Sequence, residues 1–464
     1  MQETMSDYPT VWNLKPLGSG DDDPRFAEER EIIERANLDF AEKWRGRSDY
    51  LENPEILREA LDEYERIARD LGTSGNEGYY VFLRTAQDET DPKLKGWEKR
   101  IEEFATRLEN ETRFFLLSIA KIPRERQDGF LAHPALAPYR NLLAESFEFA
   151  RYLLSEPEEK ILTMMSAPGF GNWVRMTSEF IAREEGEVVH GEGAPEKLNF
   201  SSLMSRTSDS DKARRDEAAG VVNEILARHA SAAEHELNAI LEWKKKSDEL
   251  RGVPRPDLFR HIGNGLGVEA ADALVASVAD RFEISRRHYA LKARLLALPH
   301  LEYHERNLAY GSLEGKRYTY DEAAALVGET LGALSPRFRE IFFSFVQIGR
   351  IDVFPRAKKS DGAFCAHRTK SQPSYILMNF DGKLRDVLTL AHEVGHGINN
   401  ELMRESRNAL SFDSPLAVAE VASTFMEDFV LESLAREASV ELRLALMVAK
   451  LDDAHLSETL CDER

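Results

Sequence analysis

Cysteine is nearly absent. Cys365 and Cys461 are the two in 464 residues, too few for a disulfide framework, so a reducing, cytoplasmic compartment is the expectation. No apolar run approaches the ~20 residues that a membrane-spanning helix needs, and no membrane partner is expected. The N-terminus, MQETMSDYPTVWNLKPL, has no basic start leading into a long apolar stretch and does not read as a secretory signal. Positive charge is in short supply. Lys and Arg number 61 against 82 Asp and Glu, a net charge of −21, and no basic cluster is interleaved with aromatics. A chain of that charge repels phosphate backbones, so no nucleic-acid partner is expected. Repeats of fixed period are also missing, which sets solenoid architectures aside.

What remains is a globular composition, 42% hydrophobic and 31% charged, on a chain long enough to bury a large core. Acidic runs such as Asp21-Asp22-Asp23 and Glu184-Glu185 read as solvated surface. Helical periodicity dominates. It predicts helices over Phe26–Arg47, Ile56–Leu71, Gly96–Ala120, Asn141–Leu154, Asp211–Ser247, Val268–Leu296 and Tyr320–Leu334. The stretch from Phe342 to Gly382 breaks the pattern. Short β-prone runs at Ile351–Phe354, Gly362–His367 and Tyr375–Phe380 are separated by turn-forming residues, which predicts a small sheet. The fold class is therefore mainly α with a small β-sheet. The Gly- and Pro-bearing stretch His190–Ser202 is the best linker, and it suggests an N-terminal helical domain over 1–195 and a second domain over 196–464.

After the sheet comes LRDVLTLAHEVGHGINNEL, whose Val387, Leu390, Ala391, Val394 and Ile398 form one face of an amphipathic helix. His392 and His396 are four apart, so their Cβ atoms lie roughly 5–6 Å from one another on one side of that helix. Two such imidazoles can chelate one ion, and Glu393 stands beside them as a general base: this is the arrangement of a zinc hydrolase. Downstream, Gly and His would be needed at 399 and 402 for a metzincin, but Asn399 and Leu402 stand there. The next helix is expected to begin with Ser414 as N-cap and Pro415 at its first position. Glu420 lies inside LAVAEVAS, a run with no other charge. A buried carboxylate needs a cation, and an ion held by the two histidines would supply it. Glu420 is the candidate third ligand; Glu401, Glu405 and Asp413 are the alternatives. Glu427, two helical turns beyond Glu420, could orient a ligand imidazole.

These passages, GAFCAHR, YILMNFDGKLRDVLTLAHEVGHGI and LAVAEVASTFMEDFV, together resemble the M3 family of zinc oligopeptidases, and its oligoendopeptidase F branch in particular. VWNLKPLGSGDDDPRF and GNWVRMTSEF are similar to motifs from earlier in the same branch. The resemblance implies a two-lobed, mostly helical metallopeptidase body with one Zn2+ per chain and short oligopeptides as substrates. It assigns His392, His396 and Glu420 as metal ligands, Glu393 as general base, and Gly362, Ala363 and Phe364 to a substrate-side strand. It also implies a further helical segment carrying a tyrosine and a histidine that clamp the substrate. The sequence stops at HLSETLCDER, which suggests a C-terminally truncated chain and, as the competing reading, a zinc-binding scaffold impaired in catalysis.

Other features read blandly. Gly263, Gly265 and Gly267 form a loop before a helix, since the dinucleotide spacing is incomplete. Cys365, two residues from His367, reads as a packed thiol. His300 and His304, also four apart, read as loop or helix-start residues after Pro299.

Overall fold

The computed structural model describes residues 6–189, 194–306, 308–311 and 317–460. His190 to Gly193 of the candidate linker, and Cys461, lie outside the described residues. The chain is mainly helical, with two small sheets. Contacts group it into two units, both discontinuous in sequence. The first holds Met1–Arg151 and Leu313–Ser439, and the second Tyr152–Ser312 and Val440–Arg464. Residue 195, where the sequence suggests a boundary, falls inside the second unit.

Local signals place the helices of the first unit. Asn53 accepts a hydrogen bond from the Glu55 amide and Pro54 opens the helix Pro54–Asp70. Thr319 and Glu322 form a capping box at the head of Tyr320–Leu334. The helix Pro336–Ile348 begins at the Ser335 cap and stops at Gly349, whose φ of 78° a side chain would disfavour. Four helices share one core: Tyr320–Leu334, Pro336–Ile348, the motif helix Leu384–Ser406 and the helix Leu416–Glu437. Val327, Phe342, Phe345, Val387, Val394 and Val430 are buried there. Each such side chain contributes about 1.5–3 kcal/mol on burial.

The three-stranded sheet lies against the motif helix. Tyr375–Leu377 is central, parallel to Ile351–Asp352 on one side and antiparallel to the edge strand Phe364–Ala366 on the other. The strands are shorter than the β-prone runs around them, because turns and side-chain bonds take over the remaining backbone. Gly362, at φ 76°, and Ala363 precede the edge strand. An N-terminal segment is laced to the same sheet. The Trp12 indole donates to the Ile376 carbonyl at 2.8 Å, and the Val353 amide donates to the Thr10 carbonyl at 3.0 Å.

A buried ion pair holds the loop before the edge strand. Lys359 and Asp352 have fully buried side chains 2.8 Å apart, and the lysine also donates to the Phe354 carbonyl at 2.9 Å. Arg356 and Gln87 complete the shell around the Asp352 carboxylate, at 2.6 and 2.8 Å. These bonds hold its carboxyl below the ordinary value although burial raises it.

In the second unit the helix Lys212–Arg251 runs from an Asp211 cap to Gly252 in the left-handed region. Its Val222 and Ile225 pack with Leu203 and with Val188 of a two-stranded antiparallel ribbon, Glu185–Val188 with Glu196–Asn199. Part of the candidate linker is therefore strand. The expected helix over Val268–Leu296 is two helices, Val268–Asp280 and Phe282–Leu295, separated at Arg281. Gly265, at φ 63°, lies in the loop ahead of the first of these. The second carries Lys292, fully buried and 2.6 Å from Asp452 of the helix Val440–Leu460. On that last helix Leu446 and Val448 are buried and Leu451 is exposed, so its apolar face is covered only in part.

Candidate active site

The motif helix and the helix Leu416–Glu437 cross in close contact, and glycine makes the crossing possible. A Cβ on Gly395 would lie 2.6 Å from the Ser423 Cα and 2.7 Å from the Ala422 carbonyl oxygen. Only a residue without a side chain fits there. Gly397 allows a similar approach to the Phe345 ring, at 3.0 Å. Gly395 is not marked by the histidine spacing. Its signal was present, a glycine one residue before His396 in an otherwise good helix former.

The crossing brings Glu420 to the two histidines. His392 Nε2 lies 3.5 Å from one Glu420 oxygen, and His396 Nε2 lies 3.7 Å from the other. One ligand atom from each of the three falls within 4.8 Å of the others. Zinc bound to nitrogen and oxygen at roughly 2.0–2.2 Å sets tetrahedral ligand atoms about 3.3–3.6 Å apart. The two histidine–glutamate separations are close to those values, and two imidazoles with one carboxylate are a donor set that hydrolytic zinc uses. All three side chains are partly open to solvent.

The surroundings arrange the donors. His392 Nδ1 lies 3.2 Å from a Glu427 oxygen, which leaves Nε2 for the Glu420 side. Burial pulls the His392 imidazole down, but the Glu427 bond and the charges of Glu393, Glu427 and Glu420 together raise it. His396 is pushed down by burial, with Glu420 opposing and His392 and His367 adding to the effect. Glu393 is 6% exposed, and its carboxyl is pushed up to about 7, chiefly by burial.

The alternative ligands are engaged elsewhere. Glu401 pairs with Arg350 and Arg404, both at 3.2 Å, and Glu405 pairs with Arg337. Asp413 stands 3.6 Å from His367 Nε2. Ser414 does not cap the following helix, because Pro415 holds the N-cap position; the Ser414 hydroxyl instead accepts from Asn399 at 3.3 Å. Phe364 turns its ring toward Trp12 and Phe82, while Cys365 faces the motif helix, 3.7 Å from Asn400 Nδ2. Burial pushes the Cys365 thiol well up, and Glu393 and Glu401 add to that. It is a packed thiol.

A second set of donors, Asp216, His304 and Glu305, gathers in the other unit. There Arg215 and Lys212 already lie against Glu305, at 2.6 and 3.1 Å, so the carboxylate is neutralised by the chain's own cations. His304 sits on a short turn, Tyr303–Glu305.

The fold and the crossing define a mainly helical protein with a His–His–Glu candidate metal centre. Comparison with known proteins places it more narrowly. The family model for peptidase family M3 matches residues 339–461, and that for oligopeptidase F matches residues 119–183. An oligoendopeptidase F homolog of Borreliella burgdorferi is 22% identical over 436 residues, which cover 92% of this chain and 72% of that protein. Oligopeptidase PepF of Bacillus subtilis is 23% identical over 441 residues, covering 91% of this chain and 62% of that one. A crystal structure from Chlamydophila abortus superposes with a TM-score of 0.76 at 21% identity, over 97% of this chain and 75% of that one. Oligoendopeptidase F of Enterococcus faecium superposes with a TM-score of 0.60 at 15% identity, over 93% and 71%. These matches support peptidase family M3, and its oligoendopeptidase F branch, as the family the chain resembles. The chain spans between 62% and 72% of the length of the two relatives named. No helix among the described residues is long and apolar enough to cross a membrane.

Proposed function

We propose that the chain is a zinc-dependent endopeptidase that hydrolyses short oligopeptides, with one ion per chain held by His392, His396 and Glu420. The observation that carries this reading is the approach of both imidazoles to the two oxygens of one carboxylate, at 3.5 and 3.7 Å. The family-model matches and the names of the relatives support peptide hydrolysis as the reaction.

Bound zinc would polarise the scissile carbonyl and acidify water. The rest falls to side chains. Glu427 accepts from His392 Nδ1 and fixes which ring nitrogen is offered to the ion. Glu393 takes the proton released as water adds to the carbonyl carbon, and returns it to the amine nitrogen as the C–N bond breaks. Burial raises the Glu393 carboxyl above the ordinary glutamate range, which favours its holding the proton between the two halves of that transfer. Gly362, Ala363 and Phe364 lead into the outer strand of the sheet, whose free edge could take an extended peptide as an added strand. A cytoplasmic setting, without nucleic-acid or membrane partners, agrees with the composition.

The test is hydrolysis of a mixed oligopeptide pool by the zinc-loaded chain, read by mass spectrometry, with a chelator and Glu393→Gln as controls. Internal cleavages that vanish in both controls are expected. Stoichiometric zinc without any cleavage would favour the impaired scaffold, and no zinc at all would sink both readings.

A further inference from the structure

We propose that His367 is a substrate-contacting residue of the centre, whose Nδ1 hydrogen-bonds the backbone of a peptide lying along the edge strand Phe364–Ala366. The proposal rests on the peptidase reading above and adds a residue to it.

Strand alternation gives the first support. Side chains of successive strand residues point to opposite faces. Phe364 turns to the Trp12 cluster and Cys365 to Asn400 of the motif helix, one turn beyond His396. His367 is the residue directly after the strand, and continuing the alternation would put it on the Cys365 side; its observed contacts are with the loop that follows the motif helix. The second support is how the ring is held. Its Nε2 lies 3.6 Å from Asp413, and its edge packs on Phe412 with centroids 5.4 Å apart and planes at 84°. Phe412 and Asp413 belong to the loop joining the two site helices. That loop is tied back to the motif helix by Ser414 accepting from Asn399. The imidazole is thus fixed between the substrate-side strand and the helix junction. Nδ1 has no partner among the described residues, and the side chain keeps 24% of its exposure. A ring held beside Asp413 and Phe412 with Nδ1 open, directly after the edge strand, is suited to orient a chain crossing the centre. Nothing in the metal-ligand spacing marked this histidine, because its role depends on strand register.

Three variants, His367→Ala, His367→Gln and Asp413→Asn, would be compared with the wild type as zinc-loaded chains. Zinc content, thermal midpoint, kcat and KM would be measured, with affinities for acetohydroxamate and for a phosphinic tripeptide. Acetohydroxamate reaches only a metal ion, whereas the tripeptide must lie along the strand. In His367→Ala the expected result is unchanged zinc and hydroxamate binding, with tripeptide affinity lower by about tenfold or more and KM raised. Gln, which keeps a polar group at similar reach, should recover part of the loss, and Asp413→Asn should lose less than Ala. If His367→Ala does not fold, the Gln variant carries the comparison. Tripeptide affinity equal to wild type would overturn the proposal. So would a parallel loss of hydroxamate or zinc, which would make His367 a support of the metal centre instead. A wild-type chain that binds neither ligand and cleaves nothing would bring down the peptidase reading, and this proposal with it, before any substitution is made.

Discussion

In the proposed function, Glu427 acts at one remove from the ion, through His392. Replacing it by Gln removes the charged acceptor 3.2 Å from His392 Nδ1. The expected outcome is a 10–100-fold loss of zinc affinity, measured by competition with a chromogenic chelator, with activity recovered in excess zinc. Asp352 is paired with a lysine that is buried as fully as itself. Its replacement by Asn would leave the fully buried Lys359 without its charge partner, at a cost of about 3–5 kcal/mol in a denaturant titration. The pH dependence has a definite sign. The Asp352 carboxyl is lowered in the folded protein, so its contribution is complete above the ordinary value of 3.8 and is lost as pH falls below it. Wild type should therefore weaken steeply in acid, and the Asn variant should weaken less over the same range. At this scale much was legible in the sequence. The histidine spacing and the single charge in LAVAEVAS pointed to the residues that converge. The Lys359–Asp352 pair and the place of His367 were not legible, because both depend on contacts that only the folded loop creates.

At the scale of elements, the crossing of the two site helices sets the geometry of the trio. Gly395→Val would drive a branched side chain into the backbone around Ala422 and Ser423, where even a Cβ comes within 2.6 Å. The helices would have to separate, costing about 1–3 kcal/mol and moving Glu420 away from both imidazoles. A lower melting temperature together with sub-stoichiometric zinc is expected, read by calorimetry and metal analysis; full zinc with normal stability would show that the approach is not needed. Helix periodicity placed Tyr320–Leu334 to the residue and the other expected helices to within about four residues. It passed over helices such as Gly75–Gln87, and Phe342–Ile348, read as the start of the β-prone stretch, ends the helix Pro336–Ile348. It failed where a helix ends without Gly or Pro. The expected Gly96–Ala120 is interrupted at Arg113, and Val268–Leu296 at Arg281. Both breaks fall at arginines, which are good helix formers, so propensity carries no trace of them.

At the scale of the whole molecule, the two units are each stitched from distant parts of the chain. In the second unit, Asp452 meets Lys292 and His288, and so secures the helix Val440–Leu460 against Phe282–Leu295. Asp452→Asn would strand the buried lysine, and hydrogen exchange in the last helix should quicken while the motif helix keeps its protection. The suggested division at 195 came from linker composition. Composition cannot register that a later stretch of chain returns to pack with the first. The N-terminal lacing of the first unit has a temporal side. Trp12 and the strand residue it bonds are 364 positions apart, so residues around 10 to 13 leave the ribosome long before their partners exist. Closure over such a separation is slow, and the sheet edges wait unpaired meanwhile. Burial of the Trp12 indole, followed by fluorescence during refolding, should mark a late step, the moment at which the beginning of the chain seals the sheet beside the site.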